Sequence, residues 1–315
     1  MRGIGLLACL LAAAVSARAE MPAQSPGYTA FYNLEFDRAV ALFERATEAD
    51  PANPEAWNHL AHGLLHRRLF LAGAMASEMA GASNAFLKAP RLSMPAEEEK
   101  RFLEAVERSI SLSRKRLEAD KDDPGALYAI GVAHAHRGKY HLLVRKAWFD
   151  ALKDANRSRS YHNRLRQAAP GNPDALLIPG MHEYIASHLS PLVRLMAAMA
   201  GFSGNRERGI AMVEEAARRG VKTGVEARLL LALVYAREKQ AARALPLMRE
   251  LSAAFPRNYL YRSEIVLLHA RAGQRREALE GLAALENDPS APLSEARLGN
   301  LRQAIERLLK DGTRS

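Results

Sequence analysis

The stretch Phe36–Leu64, FDRAVALFERATEADPANPEAWNHLAHGL, constrains this chain more than any other, because variants of it recur downstream. Ala39, Phe43 and Ala46 fall at helical spacing and make one small–large–small stripe. Asp50-Pro51-Ala52-Asn53-Pro54 then ends the helix, since proline lacks an amide donor and disfavours helix in the residue before it. A second helix opens at Glu55, with Trp57, Leu60, Ala61 and Leu64 along its apolar face. The unit is a helical hairpin, and neither helix can bury its stripe alone. Trp57 is therefore expected to be buried between its own hairpin and the preceding helix.

Recurrence carries the argument further. Leu231-Ala232-x2-Tyr235, Ala244-x3-Met248, Leu251 and Pro256 repeat the spacing, and Ile265, His269, Gly273, Ala278, Leu282 and Leu285 repeat it again. Pro170-Gly171-Asn172-Pro173-Asp174-Ala175-Leu176 nearly copies Pro51-Ala52-Asn53-Pro54-Glu55-Ala56-Trp57. These residues resemble the tetratricopeptide repeat, a unit of about 34 residues with a W-x2-L-G-x2-Y, A-x3-F and P pattern. Trp57-x2-Leu60-Ala61-x2-Leu64 follows it with Ala for Gly and Leu for Tyr. The resemblance covers most of residues 30–290, with diverged units around 65–120 and 139–203. It implies an all-α, right-handed α-solenoid over residues 20–292 and a capping helix and tail over 293–315. The middle section, through Gly204-x-Arg206-x2-Gly209, also resembles the tetratricopeptide-like family of inclusion-body clearance proteins at the mitochondrial surface.

Composition agrees with an all-α reading, because aromatic residues are only 6% and no alternating β-branched runs occur. Met1–Glu20, MRGIGLLACLLAAAVSARAE, has one basic residue, a short apolar run and Ala17-Arg18-Ala19. That pattern predicts a signal peptide over residues 1–19, cleaved before Glu20, and a periplasmic or secreted protein. Leu6-Leu7-Ala8-Cys9 looks like a lipoprotein motif, but most of the apolar stretch follows Cys9 and argues against acylation. Cys9 is the sole cysteine, so the exported chain carries no disulfide, thiolate metal site or cysteine nucleophile.

Several local expectations follow. Residues 20–30 read as an extended lead-in, and Leu69–Leu87 as a small-residue helix packed between neighbours. Pro95 with Glu97, Glu98 and Glu99 opens a helix to about Ala119, with Leu103, Val106, Ile110 and Leu117 inward. Gly138-Lys139-Tyr140 reads as the turn into a long helix reaching Gln167. Pro179-Gly180 interrupts the next hairpin, Gly220 caps a helix, and Ser294 opens the last one.

Three constellations bear on function. His59, His62 and His66 share one helical face opposite Trp57, Leu60 and Leu64, as a polar groove wall, as zinc or copper ligands of a metal carrier or metal-dependent hydrolase, or as idle surface. His182-Glu183 with His188 fails the zinc-protease spacing, and no nucleophile elbow or phosphate loop is present. Charge is the second signal: the formal balance is +10, or +8 once Arg2 and Arg18 leave with the signal. Nine Lys and Arg against Asp150 and Asp154 lie between His134 and Ala168, with Lys146, Lys153 and Arg157 taken as one basic face. Such a face is most often solvated surface, and otherwise suits an acidic partner or an anionic membrane surface, the latter together with the apolar run Leu189–Phe202. Export argues against nucleic acid, and no membrane span is expected after cleavage.

The family resemblance implies a binding scaffold with neither catalysis nor cofactor, holding a peptide or partner protein along its concave groove. Matching the chain to the repeat places Asn58, His62, His66, Tyr128, His136, Tyr184, Arg237, Ser263 and Arg271 in that groove. The Lys and Asn cluster with which such repeats hold a C-terminal carboxylate is absent.

Overall fold

In the computed structural model, residues 24–75, 91–189 and 204–312 are described, and among them the secondary structure is helical throughout. Among the described residues, six successive antiparallel pairs account for most of the structure: α1 (Pro26–Tyr32) with α2 (Phe36–Ala49), α3 (Pro54–Leu71) with α4 (Ala96–Ala119), and α5 (Pro124–Tyr140) with α6 (Trp148–Ala168). They continue as α7 (Leu177–Ser187) with α8 (Arg206–Arg219), α9 (Gly224–Arg237) with α10 (Ala241–Ala254), and α11 (Tyr259–Arg271) with α12 (Arg275–Glu286). A final helix, α13 (Glu295–Gly312), packs chiefly on α11 through Leu298, Ile305 and Leu309. This is an all-α solenoid.

The helix starts are written locally. Asn53, Asn172 and Asn258 each accept, through the side-chain oxygen, the amide two residues on, at 3.0, 3.0 and 3.1 Å. Each cap satisfies one of the amides that a first helical turn leaves without a partner. Pro54 and Pro124 follow their caps at the first helical position, where proline loses nothing. Asp174 acts over a longer range. Its Oδ1 accepts from the Lys222 and Thr223 amides, at 3.0 and 2.9 Å, and from the Thr223 hydroxyl, at 2.8 Å, and so ties the residues before α9 to those before α7.

Odd-numbered helices form an inner layer and even-numbered ones an outer layer. α3 packs on α5 and α11 on α13, skipping the outer helix between them. The chain also curls back on itself: Asn258 Nδ2 donates to Tyr32 O at 2.7 Å, Tyr32 and Phe255 rings stand 4.9 Å apart, and Lys222 pairs with Glu55. Repeats at the two ends therefore share one interior. Among the described residues no helix is long and apolar enough to cross a membrane.

Several expectations need correction. The supposed lead-in contains α1, opened by Ser25 and by Pro26 in the first turn. Trp57 is half-buried, with its indole N–H donating to Pro51 O at 3.0 Å, because the side chain lies over the turn between repeats. On α4 the inward residue is Phe102, 0% exposed, while Leu103 is 36% exposed. The buried positions Phe102, Ala105, Val106, Ser109 and Ile110 define a single stripe that leaves Leu103 at its edge. Pro179 and Gly180 lie buried inside α7 and do not interrupt it, as Pro179 falls in the first turn. A Cβ on Gly209 would stand 2.7 Å from Tyr184 N and 2.8 Å from Gly180 O, so α7 and α8 cross at backbone distance. Gly220 caps α8 as expected, its amide donating to Ala216 O at 2.8 Å, but it is not left-handed. Its φ is −60°, and glycine is needed there because a Cβ would meet Ala216 O at 2.5 Å.

The long basic helix over 139–167 is two helices. α5 runs through Tyr140, a π-turn covers His141–Arg145, and Lys146 takes a left-handed conformation with φ 54° before α6 begins at Trp148. A π-turn breaks the regular carbonyl ladder. Two of its carbonyls are taken by the 91–95 segment, with the Leu92 amide donating to Leu143 O at 2.9 Å and Arg91 Nε to Val144 O at 2.7 Å. The apolar runs Leu69–Leu87 and Leu189–Phe202 lie partly outside the described residues, in 76–90 and 190–203, and the 1–19 signal segment lies wholly outside them.

Candidate functional site

The inner layer brings His62, His66 and His136 together. His62 and His66 rings stand 4.2 Å apart edge to face, and His62 lies 4.9 Å from His136 across α3 and α5. The short helix α1 covers this face. Phe31 sits 4.5 Å from His62 and 5.2 Å from His66, while Tyr28 lies 4.9 Å from His59 and shares a hydrogen bond of 3.3 Å with His62 Nδ1. What the sequence presents as a solvent-facing polar wall is thus roofed by aromatic rings.

Burial sets the chemistry of these imidazoles. It pushes His59 down to about 4 and His66 to about 3, and it holds His62 and His136 well below the usual imidazole range. All four are neutral at pH 7. Their ring nitrogens do not converge: His66 Nδ1 donates to His62 O at 3.0 Å, and His62 Nδ1 faces Tyr28. Among the described residues no group of three or more His, Cys, Asp or Glu is placed to hold a metal ion.

The remaining groove positions scatter. Asn58, 2% exposed, donates through Nδ2 to Ala129 O at 2.8 Å and joins α3 to α5. Tyr128 is half-buried beneath the Lys222 ammonium, 4.8 Å from its ring. The buried Tyr184 donates its hydroxyl to Glu238 at 2.9 Å, with the Arg237 guanidinium 6.0 Å over its ring. Ser263 donates to Tyr259 O at 3.0 Å, and Arg271 reaches Glu264 at 3.2 Å. Each of these positions makes contacts within the fold.

A cavity of about 220 Å³ remains in the inner channel. His62 and His66 line one side and Leu229, Leu230 and Leu233 of α9 the other, with Phe31 and Tyr32 of α1 between them. Lys139 and Glu226 stand at its wall, 3.7 Å apart. The three leucines were not anticipated as site residues. Their signal is the run Leu229-Leu230-Leu231-Ala232-Leu233-Val234, which makes α9 apolar all round, where a helix with one buried face would carry a polar side. Tyr28-x2-Phe31-Tyr32, at the end of the supposed lead-in and just beyond it, carries a similar hint.

The basic region is organised around a buried carboxylate. Asp154 accepts from Arg137 through both oxygens at 2.9 Å and lies 2.9 Å from His134 Nδ1, with His141 and Arg157 at 3.5 and 3.7 Å. Burial raises its pKa, but the hydrogen bonds from His134 and Arg137 outweigh that and hold it well below the carboxylate range. The expected face of Lys146, Lys153 and Arg157 is not one helical face. Lys146 lies in the left-handed turn, outside α6, while Lys153 and Arg157 are exposed on α6.

Residues 27–78 and 200–259 match the tetratricopeptide-repeat family model. Solved structures similar to the chain include TTC0263, a thermophilic tetratricopeptide-repeat protein of Thermus thermophilus, at 16% identity over 77% of this chain and 94% of that one, TM-score 0.41. The human IFIT1 dimer with m7Gppp-AAAA matches at 16% identity over 91% and 63%, TM-score 0.40, and yeast Tom70 at 12% over 91% and 88%, TM-score 0.28. No curated protein matches the sequence. The two matched segments span most of α1–α3 and of α8–α10, so these parts of the solenoid are similar to tetratricopeptide repeats.

Proposed function

We propose that this chain is an exported scaffold, without catalysis of its own, whose inner channel takes an extended segment of a partner protein through apolar anchor side chains. One observation carries this reading: Leu229, Leu230 and Leu233 stay half-buried around a cavity of about 220 Å³. Sites for drug-sized ligands run to about 300–1,000 Å³. The smaller volume suits one or two anchor side chains of a peptide, with Lys139 and Glu226 offering one charge of each sign to its backbone or flanks. The Met1–Glu20 pattern supports export, and the surplus of +8 beyond it favours fast encounter with an acidic partner.

A random peptide library selected against the protein tests the channel. Enriched peptides should share an apolar anchor, and Leu230→Gln should weaken them by about tenfold or more, as for a central interface contact, with melting unchanged. Failure to enrich any sequence, or equal binding by the variant, removes the channel as the site. For location, the protein recovered outside the cytoplasm should begin at Glu20. A start at Met1 or an acylated Cys9 would overturn that part.

A further inference from the structure

The first turn of α6 leaves Trp148, Phe149 and Leu152 exposed at 46%, 90% and 51%. At about 100° per residue, Phe149 stands diametrically opposite the buried Ser158, and Trp148 and Leu152 fall within about 100° on one side of it. Lys153 and Arg157 lie on the other side, Arg159 follows Leu152 two turns along, and Arg145 precedes the helix in the π-turn. Asp150 is the exposed carboxylate beside them, since Asp154 is buried and occupied by Arg137 and His134. α6 belongs to the outer layer, so this surface is a ridge, not a groove.

A ridge of aromatic and apolar side chains ringed by cations fits a deformable, negatively charged medium. Trp and Phe favour the boundary between headgroups and acyl chains, and Lys and Arg near that boundary are drawn to anionic lipids. A folded protein partner would need a matching groove to cover the same ridge. We propose that the outer face of α6 docks the solenoid on an anionic phospholipid surface. Trp148, Phe149 and Leu152 enter the headgroup–acyl boundary, and Arg145, Lys153, Arg157 and Arg159 lie among the phosphates. This goes beyond the inner-channel reading, leaves that channel open, and does not depend on it.

The test uses the full chain in a Trp57→Phe background, so that Trp148 is the sole indole. Phosphatidylglycerol-containing vesicles should shift Trp148 emission to the blue, brominated acyl chains should quench it, and rising salt should weaken both effects. Phe149→Asp should reduce vesicle binding by about tenfold or more without changing the melting curve, because Phe149 packs on little. The N-terminal apolar run is the same in both forms, so any difference belongs to α6. Absence of a shift, equal binding to phosphatidylcholine vesicles, or unchanged binding by Phe149→Asp would each overturn the proposal. A shift that appears without vesicles as protein concentration rises would instead assign the ridge to a second copy, and would overturn it too.

Discussion

Inner helix α11 buries nine of its thirteen residues, while its outer partner α12 buries only Ala278, Leu282 and Leu285 of twelve. The same holds for α3, with ten buried of eighteen, against α4, with six of twenty-four. An outer helix needs one apolar stripe, because it meets neighbours on one side and water on the other. An inner helix is enclosed by its own partner, by the next inner helix and by the far side of the superhelix. Polar groups follow the same division. The inner layer holds His62, His136 and Glu264 with few partners, and desolvation drives them toward their neutral forms. On outer helix α6, Asp154 is equally buried but surrounded by donors, and it stays charged. Burial alone therefore does not set the charge state here; the count of facing donors does.

The largest expected effect is at the paired carboxylate. Asp154→Ala leaves Arg137 and His134 without their acceptor, and should cost about 3–5 kcal/mol in denaturant unfolding. A loss under about 1 kcal/mol would mean that water replaces the carboxylate, and the contrast between layers would lose its outer member.

Next comes a matched pair of leucines. Leu268 on inner α11 is 0% exposed and Leu279 on outer α12 is 44% exposed. Leu268→Ala should cost about 2–5 kcal/mol and Leu279→Ala less than about 0.5. Similar losses for both would dissolve the two-layer description.

Acid should then act on the inner layer first. The unfolded chain takes up protons near the ordinary imidazole pKa, which the folded inner layer excludes down to about 4 at His59 and about 3 at His66. Stability is thus whole above the ordinary imidazole range and is lost as pH falls toward those values. Asp154 does not contribute in this window, because its stabilisation persists until the pH drops below the ordinary carboxylate range. Urea melts should lose roughly 2 kcal/mol per fully shifted histidine at pH 5 relative to pH 7. A flat profile over that interval would show the imidazoles to be reachable by water.

Glu264, a single group, runs the other way. Burial pushes it up to about 7 despite Arg271, so its contribution is full at acid pH and is lost as pH rises through that value. Glu264→Gln should therefore gain about 2–3 kcal/mol at pH 8 relative to pH 5. No change in that difference would indicate that the Arg271 pair keeps the carboxylate charged in the folded state.

Local features were legible because local physics decides them. Asn53 and Asn172 cap helices and Pro54 opens one, as their dipeptides imply, and Leu60, Ala61, Leu231, Ala232 and Met248 are buried where the repeat places them. The break at Lys146 was hidden, since His141–Arg145 keeps a helical pattern and only the π-turn and the 91–95 segment redirect it. The site was less legible than the fold. His62 and His66 read as surface until α1 lies on them, and Leu229, Leu230 and Leu233 read as core until the opposite wall leaves a gap.

Sequence by itself determined the helices, their caps, the repeat and the net charge, because each depends on residues within about one 34-residue unit. Tertiary structure alone decided which helix faces are inner. It set Tyr32 beside Phe255 and Asn258, more than two hundred residues away, and Lys139 beside Glu226. Those contacts arise from the summed rotation between repeats, and small per-repeat angles are not encoded in any one stripe of residues.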